Sequence, residues 1–142
     1  MRKRTRAREF ALQVLYQIEV SRIPVAACLD DFWKNRETAP EEAIRAFTES
    51  LVRGVVAQQD EIDKVIGEAA ENWHLNRMAV VDKNILRLAT YELLFMGDIP
   101  PKVSINEAID IAKKYGDQDS SKFVNGVLDK INRTNAPHAE KG

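Results

Sequence analysis

Residues 80–96, VVDKNILRLATYELLFM, form the segment that decides the fold. Apolar side chains occur around most of the circumference that this segment would have as a helix. They are Val81, Ile85, Leu86, Leu88, Ala89, Leu93 and Phe95. A helix that is apolar on several sides is covered by neighbours on several sides. The segment therefore predicts the central helix of an all-α protein.

The prolines and polar breaks divide the rest of the chain into further helices. Prolines occur at positions 24, 40, 100, 101 and 137. None lies inside a long periodic segment, where proline would destabilise a helix by about 3 kcal/mol. We predict about seven helices, at 5–21, 24–35, 40–58, 60–72, 80–96, 104–116 and from 120 onward.

Local signals set several of these boundaries. Thr38 with Glu41, and Ser104 with Glu107, have the spacing of capping boxes at helix starts. Gly116 follows the last apolar residues of the sixth predicted helix. Glycine at such a position commonly adopts the left-handed conformation that ends a helix. With no repeat or low-complexity linker, we predict one domain over 1–142, with a basic N-terminal arm at 1–8 and a polar tail at 135–142.

The charge of the chain is distributed unevenly. It has 21 Lys+Arg and 22 Asp+Glu, for a formal net charge of −1. The arm carries five of the bases and no acid, which leaves a net −6 on the remainder. The bases of the arm are Arg2, Lys3, Arg4, Arg6 and Arg8. This asymmetry indicates a nucleic acid or another anionic surface as partner.

Composition excludes several classes of protein. The single cysteine, Cys28, cannot close an internal disulfide, and with only two histidines it cannot form a Cys/His zinc cluster. We expect no metal and no cofactor. No apolar run approaches the roughly 18–20 residues that span a bilayer, so we place the protein in the cytoplasm.

The common motifs of nucleotide, acyl-transfer and metalloprotease sites do not occur. Ser120 and Ser121 with His138 are better explained as helix caps and tail than as a catalytic pair, so we predict no enzyme activity.

The first helix contradicts the usual charge preference of helix starts. Acids are favoured there because the helix dipole is positive at its N-terminus, yet the first helix opens with arginines. A solvated basic tail and a phosphate-binding arm that becomes ordered on nucleic acid both fit this pattern. The main apolar stripe of this helix consists of Ala7, Phe10, Ala11, Val14 and Ile18. A second feature is the column Leu12, Tyr16 and Val20, which lies roughly opposite that stripe. This column is either covered by other helices or is a docking surface.

The last predicted helix has an aromatic residue at the edge of its apolar stripe. Phe123 lies beside Lys122, with Lys130 two turns along on the same side. An edge aromatic flanked by lysines can stack on an unpaired base while the ammonium groups meet phosphate. An ordinary phenylalanine at the rim of the core gives the same pattern.

Four segments in order resemble the NusB family of bacterial transcription antitermination factors. They are RTRAREFALQVLYQ at 4–17, VDKNILRLATYEL at 81–93, IPP at 99–101 followed by VSINEAIDIAK at 103–113, and KFVNGVLDKI at 122–131. The resemblance implies an all-α fold of two small helical bundles packed across a shared core. It also implies binding to the boxA element of nascent RNA with NusE, a small-subunit ribosomal protein. The complex they join makes RNA polymerase resist termination, notably on ribosomal RNA operons.

The resemblance also assigns residues to surfaces. It implies that the arm, Lys122 and Phe123 face single-stranded boxA RNA, and that Tyr16 and its column contact NusE. Asp119, beside the KFVNG segment, would tune the partner interface. Residues 22–58 match the family weakly, so no role is assigned to them. Two alternatives remain: a homodimeric helical scaffold, and an RNA-targeting domain like that of ribosomal RNA cytosine methyltransferases, for which we expect a glycine-rich cofactor segment that this chain lacks.

Overall fold

The computed structural model describes residues 2–71 and 74–135. Within these ranges the chain forms seven α-helices, one short 3-10 helix and no strand, which confirms the all-α prediction. The chain divides into two compact units, Met1–Ala57 and Gln58–Gly142, called unit 1 and unit 2 below. No helix in the described ranges is long and apolar enough to cross a membrane.

Unit 1 is built around aromatic rings. It contains α1 (Lys3–Ser21), α2 (Val25–Lys34) and α3 (Glu42–Ala57), each packed against the other two. The ring of Phe10 on α1 meets Phe32 and Trp33 of α2 edge-on, with centroids 5.5 and 5.8 Å away. Edge-to-face pairs add about 0.5–1.5 kcal/mol each beyond the burial of their area. Trp33 is buried, and its Nε1 donates to Glu49 Oε2 of α3 at 2.8 Å. These contacts join α1 to α2 through Phe10, and α2 to α3 through Trp33.

Unit 2 is organised around the helix that the sequence predicts to be central. It contains α4 (Gln59–Ala69), the 3-10 helix Leu75–Arg77, α5 (Val80–Phe95), α6 (Pro101–Tyr115) and α7 (Ser120–Asn135). Within this unit α5 packs against α4, α6 and α7, and its residues Leu86 and Leu93 are completely buried. The prediction is wrong for Phe95, which ends the helix half-exposed and stacks on Tyr91 at 5.5 Å.

Both predicted capping boxes are wrong. Helix α3 begins at Glu42, so Thr38 lies in the connection before it. Helix α6 begins at Pro101, because proline suits the first helical position, where its missing N–H is not needed. Ser104 therefore lies inside the helix, where its hydroxyl donates to the buried carboxylate of Glu92 at 2.7 Å.

The predicted left-handed stop at Gly116 is also wrong, since its φ is −90°. The reason for a glycine is space. A Cβ at this position would lie 2.8 Å from the carbonyl oxygen of Ala112 and closer still to Ser120 Oγ. The turn between α6 and α7 therefore requires a residue without a side chain at position 116, because Ser120 packs where a Cβ would lie.

Candidate nucleic-acid interface

The basic arm forms the first turns of α1. The helix begins at Lys3, and Arg2 is its N-cap residue, without a capping hydrogen bond from its side chain. The backbone N–H of Arg6 donates to the carbonyl oxygen of Arg2 at 3.0 Å. The expectation that the arm becomes ordered on nucleic acid is therefore wrong from Lys3 onward. The first turn holds no acidic residue, so its cations lie at the positive end of the helix dipole, as the sequence indicated.

Aromatic rings hold the arginines of α1. The guanidinium carbons of Arg4 and Arg8 lie 4.4 and 5.5 Å from the centroid of Phe47 on α3. That of Arg6 lies 4.8 Å from the centroid of Phe10. A cation–π contact is electrostatic and provides no oxygen acceptor, so the N–H donors of the guanidinium remain available to other acceptors. Arg4 and Arg6 are exposed and can use those donors, whereas Arg8 is only 4% exposed. Burial removes Arg8 from the exposed cations of the predicted RNA surface.

The other two cations of the arm remain at the surface. Lys3 Nζ lies 2.8 Å from Glu41 Oε2, with about two thirds of each side chain exposed. The hydrogen bond to Glu41, and then its charge, raises the pKa of Lys3. An ion pair this exposed adds little stability and exchanges readily with water, so Lys3 stays accessible to a phosphate. Arg2 is exposed as well.

The predicted base-stacking residue lies beside an acidic cavity of unit 2. Phe123 is half-buried and Lys122 is exposed on the first turn of α7. The ring borders a cavity of about 270 Å³. Its other lining residues are Arg77, Met78, Ala79, Asp82, Asp117 and Asp119. The sequence placed lysines and Asp119 near Phe123, but it did not reveal that Asp82 and Asp117 line the same cavity. The carboxylates disfavour a phosphate inside the cavity, while carboxylate oxygens accept hydrogen bonds from the amino groups of bases.

Asp119 and Lys130 each have a structural contact as well. The carbonyl oxygen of Asp119 accepts the Phe123 N–H at 3.1 Å, so its backbone begins the α7 hydrogen-bond ladder. Lys130 Nζ forms an ion pair with Glu71. The hydrogen bond from Lys130, and then its charge, lowers the pKa of Glu71. Lys130 therefore meets an RNA phosphate only in competition with Glu71.

The apolar column of α1 is split. Leu12 is 4% exposed, whereas Tyr16 is 47% and Val20 63% exposed. The explanation that the column is covered is therefore confirmed for Leu12 alone, and a docking role for Tyr16 and Val20 stays a prediction. Leu12 is covered in the folded chain, whereas Tyr16 and Val20 form an exposed apolar patch on the next two turns of the helix.

The residues considered for catalysis have structural explanations or lie outside the described ranges. Ser120 is buried, and its Oγ accepts the backbone N–H of Asp117 at 3.0 Å. His138 lies outside the described residues, as do residues 136–142 of the predicted tail. In the part of the chain that the structure describes, no three His, Cys, Asp or Glu side chains are grouped to hold a metal ion.

Sequence reasoning missed Arg36. Its guanidinium carbon lies 4.3 Å from the centroid of Phe10, the same ring on which Arg6 stacks. The two arginines are distant in sequence and separated by a helix, so no local periodicity connects them. The only available signal was an arginine close to the end of α2 in a segment that resembles the family weakly.

Comparisons with known proteins agree over nearly the whole chain. The NusB family model matches residues 5–133. Transcription antitermination protein NusB of Anaeromyxobacter sp. (strain Fw109-5) is 54% identical over 129 residues, covering 91% of this chain and 89% of that protein. The structure of T. maritima NusB is 43% identical with a TM-score of 0.85, covering 94% of this chain and 93% of that one. A structure of antitermination factors NusB and NusE in complex with dsRNA has 29% identity and a TM-score of 0.84, covering 94% and 98% of the two chains. The chain therefore belongs to the NusB family.

Proposed function

We propose that this protein is a cytoplasmic transcription antitermination factor. It binds the boxA element of nascent RNA together with NusE, within a complex that makes RNA polymerase resist termination, notably on ribosomal RNA operons. The observation that carries this proposal is the exposed basic start of α1 in a member of the NusB family. Cations placed against the helix dipole are unfavourable for the helix alone and favourable for a chain that neutralises phosphates.

The RNA surface has an electrostatic part and a base-contacting part. In the electrostatic part, Arg2, Lys3, Arg4 and Arg6 meet phosphates, and buried Arg8 supports them by packing on Phe47. The base-contacting part is in unit 2, where Phe123 stacks on a base and Lys122 and Lys130 meet the adjoining backbone. The family match over residues 5–133 supports treating the two units as one functional module spanning 1–142.

The surface for NusE centres on the exposed part of the α1 column. Tyr16 and Val20 present apolar area that folding leaves in water, and an interface aromatic is a common source of binding energy. Leu12 belongs to the same column but is buried, so it adds little area to this surface. Asp119 contributes its exposed carboxylate at the start of α7.

The test is an equilibrium binding measurement with the purified full chain, with and without NusE. The RNAs are single-stranded boxA, a scrambled sequence of equal length, and boxA annealed to its complement. We expect the single strand to bind more tightly than the scrambled RNA, and NusE to tighten that binding. Equal affinity for boxA and scrambled RNA, with no effect of NusE, would contradict the proposal. Tighter binding of the duplex would replace base stacking by recognition of a double helix.

Light scattering of the protein alone tests whether the exposed part of the column binds a second copy of the chain. A homodimer that dissociates when Tyr16 is changed to Ala would assign the column to a second copy of the chain. A monomer that associates only with NusE supports the proposed partner.

A further inference from the structure

A basic cavity in unit 1 extends from Arg6 on α1 to residues 35–40, which lie in the segment to which the sequence assigns no role. The cavity has a volume of about 530 Å³ and opens between the start of α1 and the connection from α2 to α3. Arg6, Phe10, Arg36, Glu37 and Ile44 are among its lining residues. A water molecule takes roughly 30 Å³ in the liquid, so the cavity has ample room for a phosphate group.

One buried ring positions both guanidinium groups of the cavity. Phe10 is 4% exposed and is held edge-on by Phe32 and Trp33. The guanidinium carbons of Arg36 and Arg6 lie 4.3 and 4.8 Å from its centroid, and that of Arg36 also lies 5.2 Å from the centroid of Phe32. Two rings thus fix Arg36, which reduces the side-chain entropy that it would lose on binding an anion.

The hydrogen-bonding capacity of these two side chains is left for a ligand or for water. The attraction to a ring is electrostatic and provides no oxygen acceptor, so the five N–H donors of each guanidinium still need partners. Within residues 2–71 and 74–135, neither Arg6 nor Arg36 has a carboxylate partner in an ion pair. Glu37 contributes one exposed carboxylate to the rim, so the cavity retains a net positive charge. Arg6 and Arg36 both line this cavity, so an anion inside it is attracted by two positive charges.

We propose that Arg6 and Arg36 together bind one backbone phosphate of the RNA, so that the RNA surface extends from α1 onto the connection between α2 and α3. The planar fork of a guanidinium matches phosphate oxygens in a bidentate geometry. The inference rests on the proposed function, because the phosphate belongs to bound RNA. Arg36 is the new residue in this assignment.

The direct test compares Arg36→Gln with Arg53→Gln, which removes the same charge from an exposed position on α3 outside the cavity. We expect Arg36→Gln to weaken boxA binding by about tenfold at low salt. We also expect the slope of log K against log salt to become shallower by about 0.7, the value for one phosphate contact on a single strand. Arg53→Gln should leave both quantities unchanged. Arg36→Lys keeps the charge without the fork, so its affinity should fall between those of the parent and Arg36→Gln.

Melting temperatures and a double variant separate binding from folding. If Arg36→Gln fails to fold, Arg36→Lys carries the test, since affinity equal to that of the parent would then contradict the bidentate contact. If both arginines hold one phosphate, the combined loss in Arg6→Gln/Arg36→Gln is smaller than the two single losses multiplied together. Multiplicative losses would overturn the shared site.

Two further results would overturn the inference in distinguishable ways. If the parent binds boxA and Arg36→Gln behaves like Arg53→Gln, this inference fails while the proposed function stands. If the parent does not bind boxA, both fail.

Inorganic phosphate, compared with chloride at equal ionic strength, tests the source of the anion. If phosphate raises the melting temperature of the parent alone, while Arg36→Gln binds RNA as the parent does, the cavity is a site for free anions instead.

Discussion

Neutralising the start of α1 should weaken RNA binding without weakening the fold. The perturbation is the triple variant Arg2→Gln/Lys3→Gln/Arg4→Gln, which removes three of the exposed cations at this end of unit 1. Each phosphate contact with single-stranded RNA contributes about −0.7 to the slope of log K against log salt. The variant's slope should therefore be shallower by about 2. Arg8 is buried, so it adds no further contact to this count.

The effect on stability is a near balance of two terms. Arg4 loses its contact with Phe47, a cation–π interaction worth about 0.5–1 kcal/mol at an exposed site. The helix gains because a cation near its positive end is unfavourable by about 0.3–1 kcal/mol. The ion pair between Lys3 and Glu41 is too exposed to change the balance. The melting temperature should therefore stay close to that of the parent.

Fluorescence anisotropy of labelled boxA RNA, measured from about 50 to about 400 mM KCl, gives the slope. The matched control is Arg53→Gln/Lys64→Gln/Lys102→Gln, which removes three exposed cations elsewhere on the chain. Its slope should stay close to that of the parent. Equal slopes for the two triple variants would refute the reasoning, because net charge alone would then explain the effect.

Three other substitutions test separate parts of the structure. Tyr16→Ala should weaken NusE binding by about 2 kcal/mol, or roughly 30-fold, with little change in melting temperature because Tyr16 is half-exposed; unchanged calorimetric affinity would remove it from the interface. Phe123→Leu should weaken boxA binding by about 5- to 150-fold at every salt concentration, while Phe123→Trp retains it; equal binding by the leucine variant would make Phe123 a packing residue. Gly116→Ala should lower the free energy of unfolding by about 1–3 kcal/mol in urea titrations, because its Cβ meets Ala112 and Ser120; an unchanged midpoint would show that the turn relaxes.

The sequence predicted the helices better than their ends. Residues 80–96 predicted α5 to within one residue. An apolar pattern with helical spacing that continues over four turns fits few structures other than a helix. Helix starts depend on a few local contacts that compete with one another. At α6, Pro101 and Ser104 are both plausible start signals. Ser104 is instead used by a tertiary hydrogen bond to Glu92, which no local pattern reveals.

Charge was predictable at the candidate site, whereas accessibility was not. The pattern of bases identified α1 as the unusual helix, but it could not distinguish exposed Arg4 from buried Arg8. Both stack on Phe47, which follows them by about forty residues in the chain. The same limit applies to Leu12 and Tyr16, which share a helical face and differ in burial. Periodicity shows which residues share a face of a helix, and only the fold shows how much of that face is covered.

Aromatic rings explain how unit 1 retains a basic helix start. Isolated cations at this end of a helix would oppose its dipole and lose side-chain entropy on binding a phosphate. Phe47 and Phe10 reduce both penalties, because each attracts a guanidinium electrostatically and holds it in one orientation. Lysine would gain less, since its compact ammonium is more strongly hydrated and lacks a flat face to stack. The ring of Phe10 that closes the core of unit 1 therefore also positions Arg6, so packing and charge presentation depend on the same side chain.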